Sequence, residues 1–381
     1  MVVRGLLFLK NSTLKKGDLM TTMVQSVIKK ITEVTLKNAS KKVTLYISML
    51  LASRERKNYA SMARENNFTY KQVYVERKHA YQYVSECKKF LFDVVKDISS
   101  RDGDDGYIII DFSLLEKLYS QKIPFVTYDY DGSKKQISKG FSIGFVFWSN
   151  GKVTIPLDYD LWIRKKEILE GYRTKIEIAQ ELLLSIKAQG IPVKEALMDG
   201  AFASEAMIKF LKTNDMRFTM RIPTNRVIQT EKEKNQLSKH SELQMKGNER
   251  YKTIQGSYKG EQLFFTAHKR NGKNDTKEVV FIVSDVERKP KEHVQEYDDR
   301  WPAEKYFRSS KQHIGISQCQ STDSDKQEFH IFSVMVSYAI LQCIKYDKKK
   351  QSVEEVIHDI RRRKIIHPLL DYLDLEQTFM S

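Results

Sequence analysis

The sequence predicts an α/β protein whose core is interrupted by a polar insertion and preceded by a helical region. Between residues 101 and 222, short apolar runs of strand character alternate with amphipathic helical segments. Residues 223–277 break this alternation, and a buried-strand pattern returns at Glu278–Ser284. The chain is mainly of helical character before residue 100 and after about Trp301. Strands that alternate with helices are typical of α/β folds.

The first hundred residues are predicted to be helical. An apolar-periodic run spans Lys42–Leu51, and Asn58 is a suitable N-cap for a short helix at Tyr59–Glu65. After a break, Thr69 is a suitable cap for a second helix, Tyr70 to Lys78, which carries basic side chains. This arrangement resembles a helix-turn-helix DNA reader, with a plain helical bundle as the alternative.

The alternating region contains three apolar strands, a hairpin and two helices. Strands are predicted at Tyr107–Ile110, Val193–Met198 and Arg217–Ile222. The hairpin joins Phe141–Trp148 to Lys152–Leu157 across an Asn-Gly pair, a strong turn signal. Helices are predicted at Ile176–Ala188 and Ala203–Lys212.

Positive charge is concentrated in two parts of the chain. The 381 residues include 65 Lys and Arg and 49 Asp and Glu, a formal net charge of +16. Residues 1–100 hold 19 basic and eight acidic side chains, and residues 223–277 hold twelve and six. Such basic blocks are typical of nucleic-acid binding, because they neutralise phosphates and release counterions. A basic surface that serves solubility is the alternative.

Composition excludes several other classes of protein. A hydrophobic fraction of 41% and a charged fraction of 30% are those of a folded chain, not of a disordered one. No uninterrupted run of about 18 apolar residues appears, so we expect no membrane span. The apolar patch Gly5–Leu9 is too short for a signal-peptide core. Cys87, Cys319 and Cys343 form no CxxC pair, so we expect a reducing, cytoplasmic compartment.

Two carboxylates directly follow predicted strands. Asp111 comes after Tyr107–Ile110, and Asp199 comes after Val193–Met198. Open α/β sheets build ligand sites at the carboxyl ends of their strands, where two such oxygen ligands can hold Mg²⁺ or Mn²⁺. An Asp at a strand end more often caps a turn or helix, so neither residue is decisive alone.

A third acidic residue lies in a segment rich in charged and aromatic side chains. On a continuous helix, five of these side chains fall within an arc of about 80°: Tyr297, Arg300, Glu304, Arg308 and Lys311. Pro302 favours the first turn of a helix, so the part before it is also compatible with a separate turn. The face would offer one more oxygen ligand and several phosphate-binding groups, with a solvated charged helix as the alternative.

The spacing Tyr-x2-Arg-x3-Glu-x6-Lys, formed by Tyr297, Arg300, Glu304 and Lys311, resembles that of the DDE transposases of the insertion-sequence-four family. The segments around the two strand-end carboxylates, Ile110-Asp111-Phe112-Ser113 and Met198-Asp199-Gly200-Ala201-Phe202, also resemble motifs of that family. The resemblance covers about residues 100–345.

This resemblance implies a function and a site. Asp111, Asp199 and Glu304 would be the catalytic triad of a ribonuclease H-like core and would bind two divalent ions, Mg²⁺ or Mn²⁺. Tyr297, Arg300 and Lys311 would contact DNA phosphates, and helical spacing adds Arg308. The implied protein binds the terminal inverted repeats of an insertion sequence, cleaves the DNA and joins the ends to target DNA, as a homodimer in the synaptic complex.

The resemblance also implies a division into five parts. A helical, helix-turn-helix-like DNA-binding domain would occupy residues 1–100. The ribonuclease H-like core would comprise residues 101–222 and 278–345, with the β-rich insertion at 223–277 and a helical tail at 346–381. A non-catalytic DNA-binding protein derived from a transposon and a nuclease without strand transfer are the alternatives.

One departure concerns the insertion. Some relatives form a DNA hairpin and stack a flipped base on a tryptophan of the insertion, but Trp148, Trp162 and Trp301 all lie outside residues 223–277. Other aromatic side chains there can supply a stacking face: Tyr251, Tyr258, Phe264 and Phe265.

Overall fold

The computed structural model of the protein describes residues 41–132, 134–168, 170–271 and 277–362. The first part of the predicted DNA-binding domain, residues 1–40, and most of the predicted C-terminal tail, residues 363–381, lie outside the described residues.

The helices of the described residues follow most of the predicted segments, and an additional helix contains the first residue of the predicted charged face. They are α1 Lys41–Ala52, α2 Tyr59–Glu65, α3 Tyr70–Val73, α4 Arg77–Asp102, α5 Lys175–Ala188, α6 Glu205–Thr213, α7 Pro290–Asp298, α8 Pro302–Ser309, α9 Ser324–Asp347 and α10 Val353–Arg362. Helix α5 begins at a capping box between Thr174 and Glu177, and the Ser204 side chain caps α6.

The strands of the described residues form one mixed sheet. They are β1 Tyr107–Glu116, β2 Thr127–Asp131, β3 Gln136–Ser149, β4 Thr154–Trp162, β5 Glu195–Met198, β6 Phe218–Ile222, β7 Val227–Gln229, β8 Lys234–Gln236, β9 Tyr251–Tyr258, β10 Glu261–Asn271 and β11 Lys277–Ser284. Their order is β2-β3-β1-β5-β6-β11-β10-β9-β7-β8, and β4 pairs with β3.

Five strands form the centre of this sheet, in the order β4-β3-β1-β5-β6. Strands β1, β3 and β4 are antiparallel neighbours, and the predicted hairpin between β3 and β4 is confirmed. Its turn includes Gly151, whose φ of +79° suits glycine. Strands β5 and β6 run parallel to β1, with α5 and α6 in the connections. The α/β class is therefore confirmed.

Helix α9 is the central helix of the core. It packs against α1, α4 and β4. By length and composition it is the one described helix that could cross a membrane, with a mean hydropathy of 1.3 over its most apolar stretch, although no uninterrupted apolar run occurs. Since 89% of that stretch is buried inside the protein, core packing accounts for its apolar character.

The N-terminal helices share this core. Tyr46 on α1 hydrogen-bonds to His330 Nδ1 on α9 at 2.8 Å, and both side chains are buried. Helix α4 packs along α9 and continues to Asp102, beyond the predicted boundary at residue 100.

The predicted second helix of the helix-turn-helix pattern, Tyr70 to Lys78, is wrong in extent. Helix α3 has a single turn and ends at Val73, and the chain is extended before α4 begins at Arg77. Burial of Val73 and Val75 favours this break, and Lys42 Nζ donates hydrogen bonds to the backbone carbonyls at the end of α3. The predicted N-caps Asn58 and Thr69 are confirmed.

Residues 223–277 contain strands β7 to β10 and the first residue of β11. Strand β10 pairs with β11, and β11 pairs with β6 of the central strands, so the segment extends the same sheet. Two of the proposed stacking residues, Tyr258 and Phe265, are buried and cannot offer a free face. The Tyr251 ring stacks on the His268 ring at a centroid distance of 4.8 Å, and Phe264 is partly buried.

Candidate active site

Asp111 lies within strand β1, not after it as predicted. Pairing of β1 with β5 ends at Ile110 opposite Met198, whereas its pairing with β3 continues to Glu116. The sequence predicted the end of the strand at Ile110 because the apolar run ends there. Pairing with β3 alone extends the strand beyond this point to Glu116. Asp111 therefore still lies where the parallel pairing ends.

Asp199 directly follows the neighbouring strand β5, as predicted. It precedes a short 3-10 turn at Gly200–Phe202 but makes no side-chain hydrogen bond that caps this turn. The capping alternative therefore does not account for this carboxylate. The Phe202 ring lies 6.0 Å from that of Phe112, so the two aspartate segments pack against each other.

The charged segment is not one helix. Tyr297 lies on α7, Arg300 lies in the turn that follows, and Glu304 lies on α8. Backbone hydrogen bonds continue through this turn, from Arg300 N–H to the Tyr297 carbonyl and from Ala303 N–H to the Arg300 carbonyl. The single-helix projection is therefore wrong, and the separate turn before Pro302 is confirmed.

Arg300 joins two of the predicted acidic residues. Its Nη1 donates to Asp111 Oδ2 at 2.9 Å, and its Nη2 donates to Glu304 Oε1 at 2.5 Å. Only 10% of the Arg300 side chain is exposed, and its guanidinium carbon lies 5.7 Å from the centroid of the Tyr297 ring. The turn between α7 and α8 thus places a buried guanidinium between a strand and a helix.

Asp199 contributes to the same electrostatic environment. Burial raises the pKa of Asp111 to about 6; the charge of Arg300 opposes this rise, and the charges of Asp199 and Glu304 add to it. Burial also raises the pKa of Tyr297, an effect opposed by Arg300 and strengthened by Asp199. We call Asp111, Asp199 and Glu304 the acidic cluster.

Lys311 reaches the same strand as Asp111. It lies in a π-helical turn at Ser310–Ile314, and its Nζ donates to Ser113 Oγ at 2.8 Å. Asp111 and Ser113 are two residues apart on β1, so their side chains lie on the same face of the sheet. Burial lowers the pKa of Lys311, and the charges of Asp131 and Glu116 oppose this fall only in part.

Arg308 is oriented differently. It is exposed on α8, and its charge acts on Glu354 and Tyr338, which belong to α10 and α9. The structure therefore does not place Arg308 with the acidic cluster.

Two polar residues near the cluster were not identified from the sequence. Ser113 accepts the hydrogen bond of Lys311, and the charge of Arg221 opposes the rise in the pKa of Tyr297. Arg221 lies near the carboxyl end of β6, so the strand-end signal that pointed to Asp111 and Asp199 could have identified it. That signal was applied to carboxylates only.

The acidic cluster fits divalent ions by chemical type, since all three side chains are oxygen ligands of negative charge. In the described part of the chain, however, no group of three or more His, Cys, Asp or Glu side chains is arranged to hold one ion. The guanidinium of Arg300 instead contacts two of the carboxylates.

Comparison with known protein families supports one class of protein. Residues 152–340, just under half of the chain, match the family described as Transposase DDE domain. The match includes Asp199, Glu304 and the insertion, whereas Asp111 precedes it. It supports a DDE transposase, a class that acts on DNA and generally uses divalent metal ions. No curated protein matches the chain.

Proposed function

We propose that this protein is a cut-and-paste DNA transposase of the insertion-sequence-four family. It would bind the terminal inverted repeats of an insertion sequence, cleave the DNA and join the ends to target DNA. The observation that carries this proposal is the pair of contacts by which Arg300 joins Asp111 on β1 to Glu304 on α8, beside the end of β5 that Asp199 follows. The family match over residues 152–340 supports the same class.

The sheet supports a ribonuclease H-like core. Three antiparallel strands, β1, β3 and β4, stand beside two strands, β5 and β6, that run parallel to β1. Asp111 on β1 and Asp199 directly after β5 each follow the last residue pair of the parallel pairing between these strands. We also propose the division into five parts, with α1 and α4 of the N-terminal part packed against α9 of the core.

The acidic cluster would hold the divalent ions, Mg²⁺ or Mn²⁺ and two in number. Bound there, they would supply activation of an attacking water or hydroxyl and stabilisation of the leaving oxygen. Tyr297, Arg300 and Lys311 would bind and orient the DNA phosphates, because two are cationic and the third offers a hydroxyl.

DNA contacts outside this site are proposed on charge. The basic N-terminal region and the basic insertion would bind the terminal repeats, and exposed Arg308 would contribute a further phosphate contact. Two copies of the chain would pair two transposon ends. A cytoplasmic location would give the protein access to bacterial chromosomal DNA.

The experiment uses DNA ends taken from the flanks of the coding region, incubated with the full chain and Mg²⁺. We expect nicked and strand-transferred products with the wild type, and loss of both with Asp199→Ala despite normal folding. Asp97→Asn, an exposed carboxylate change on α4, is the matched control. Nicking without joined product would indicate a nuclease, and binding without any cleavage would indicate a non-catalytic DNA-binding protein. Unchanged nicking by Asp199→Ala would refute the catalytic assignment.

A further inference from the structure

The position of Arg300 has a consequence for ion binding, and this consequence rests on the proposed function. Its guanidinium donates to one oxygen of Asp111 and one oxygen of Glu304, at 2.9 Å and 2.5 Å. These two carboxylates belong to different elements, β1 and α8, and the guanidinium lies between them. It therefore supplies their positive counter-charge in this arrangement.

A divalent ion and the Arg300 guanidinium cannot both take this position. An Mg²⁺ or Mn²⁺ ion needs direct contact with carboxylate oxygens at about 2.0–2.2 Å, and it would repel a guanidinium that uses the same oxygens. In keeping with this, the described carboxylates do not converge into a group that could hold an ion. Arg300 must move before Asp111 and Glu304 can share one.

The surroundings of Arg300 permit such a movement. Its Nε is buried and has no hydrogen-bond partner, so the present position leaves one of its donors unsatisfied. The residue lies in the turn between α7 and α8, so its side chain can rotate without interrupting either helix. A DNA phosphate is a suitable new partner, because guanidinium binds phosphate oxygens in pairs.

We propose that Arg300 is an internal counter-ion that holds Asp111 and Glu304 until a DNA phosphate displaces it, so that DNA and divalent ions bind with positive coupling. Arg300 acts here as a positioning residue, through the carboxylates that it contacts. Because coupling is reciprocal, DNA raises ion affinity by the same factor by which ions raise DNA affinity. Without DNA, the protein therefore binds divalent ions weakly.

The test measures Mn²⁺ affinity of the full chain by electron paramagnetic resonance of the free ion, without DNA. Arg300→Ala is expected to bind Mn²⁺ more tightly than the wild type, within the range of about 5- to 150-fold that is usual for such couplings. Arg300→Lys, which keeps the charge but loses the paired contact, is expected to lie between them. Lys305→Ala removes an exposed positive charge from the next residue after Glu304 and is expected to match the wild type.

A second arm adds a saturating DNA duplex. The wild type is expected to gain Mn²⁺ affinity with DNA, whereas Arg300→Ala is expected to gain little. Equal or weaker Mn²⁺ binding by Arg300→Ala, together with loss of binding in Asp111→Asn, would overturn the counter-ion role and leave the metal site intact. Mn²⁺ binding that is absent, or indifferent to Asp111→Asn, would overturn the proposed metal-dependent function and this inference with it.

Discussion

Removal of one partner from the ion pair between Glu195 and Arg288 is predicted to destabilise the protein strongly. Glu195 begins β5, the strand that Asp199 follows, and Arg288 precedes α7, the helix that carries Tyr297. The Glu195 side chain is fully buried, and only 12% of the Arg288 side chain is exposed. The pair therefore ties together two elements that position the site.

The expected magnitude follows from this burial. Removal of one partner from a buried pair leaves an uncompensated charge and typically costs about 3–5 kcal/mol. Arg288 retains Glu296 at 3.9 Å when Glu195 is removed, so we expect Glu195→Ala to fall near the lower end of that range. An exposed pair on α6, Lys209 with Glu205, is expected to contribute far less, because water screens the two charges.

The assay is a double-mutant cycle by urea unfolding, with Glu195→Ala, Arg288→Ala and their combination. The same cycle on Lys209 and Glu205 is the control for a pair of the same charge type at the surface. We expect a coupling energy above about 2 kcal/mol for the buried pair and a much smaller coupling energy for the exposed pair. Similar coupling energies for the two pairs would refute this reasoning from burial.

Three further changes test other parts of the structure. Burial, together with the charge of Arg361, lowers the pKa of Lys57 to about 7, so the unfolded chain binds more protons than the folded protein above that pH. The free energy of unfolding should therefore rise between about pH 7 and 9.5. In urea unfolding, Lys57→Met should reduce this rise, and an unchanged dependence on pH would contradict the reasoning. Gly144→Ala places a methyl group 2.6 Å from the Phe112 ring and should cost about 1–3 kcal/mol in the same assay, whereas Gly132→Ala, with open space around it, should be neutral. Lys311→Met should weaken DNA binding and reduce the slope of log affinity against log salt by about 0.9, as measured by fluorescence anisotropy, and an unchanged slope would argue against a phosphate contact.

Local patterns were sufficient to predict most of the sheet. The apolar runs at Tyr107–Ile110 and Val193–Met198 and the Asn-Gly turn have local physical causes, namely burial and backbone geometry. The end of β1 could not be predicted in this way, because its last residues depend on pairing with β3 alone. Likewise, the end of α3 depends on Lys42 of α1, which lies outside the segment and donates hydrogen bonds to the last carbonyls of the helix.

The candidate site shows the same division. The residue types and their spacing predicted the acidic side chains of the site, and the structure brings two of them, Asp111 and Glu304, to a common partner. The common partner itself could not be predicted, because Asp111 and Arg300 are far apart in the chain and their contact depends on how the turn after α7 packs on β1. Helical spacing placed Arg308 on the same face as Tyr297 and Arg300, but the interruption at residues 299–301 changes the angle between those two residues and α8.

The hydrogen bonds between β11 and β6 make the insertion mechanically continuous with the centre of the protein. Displacement of β9 or β10 is passed on through β11 to β6, the strand that carries Arg221, and through the hydrogen bond of Thr266 on β10 with His293 on α7. Such a connection favours transmission of force over independent hinge motion. Excision of residues 223–277 would also leave the edge of β11 or β6 open to pairing with other chains. The basic extension is thus a structural part of the sheet and not a detachable accessory.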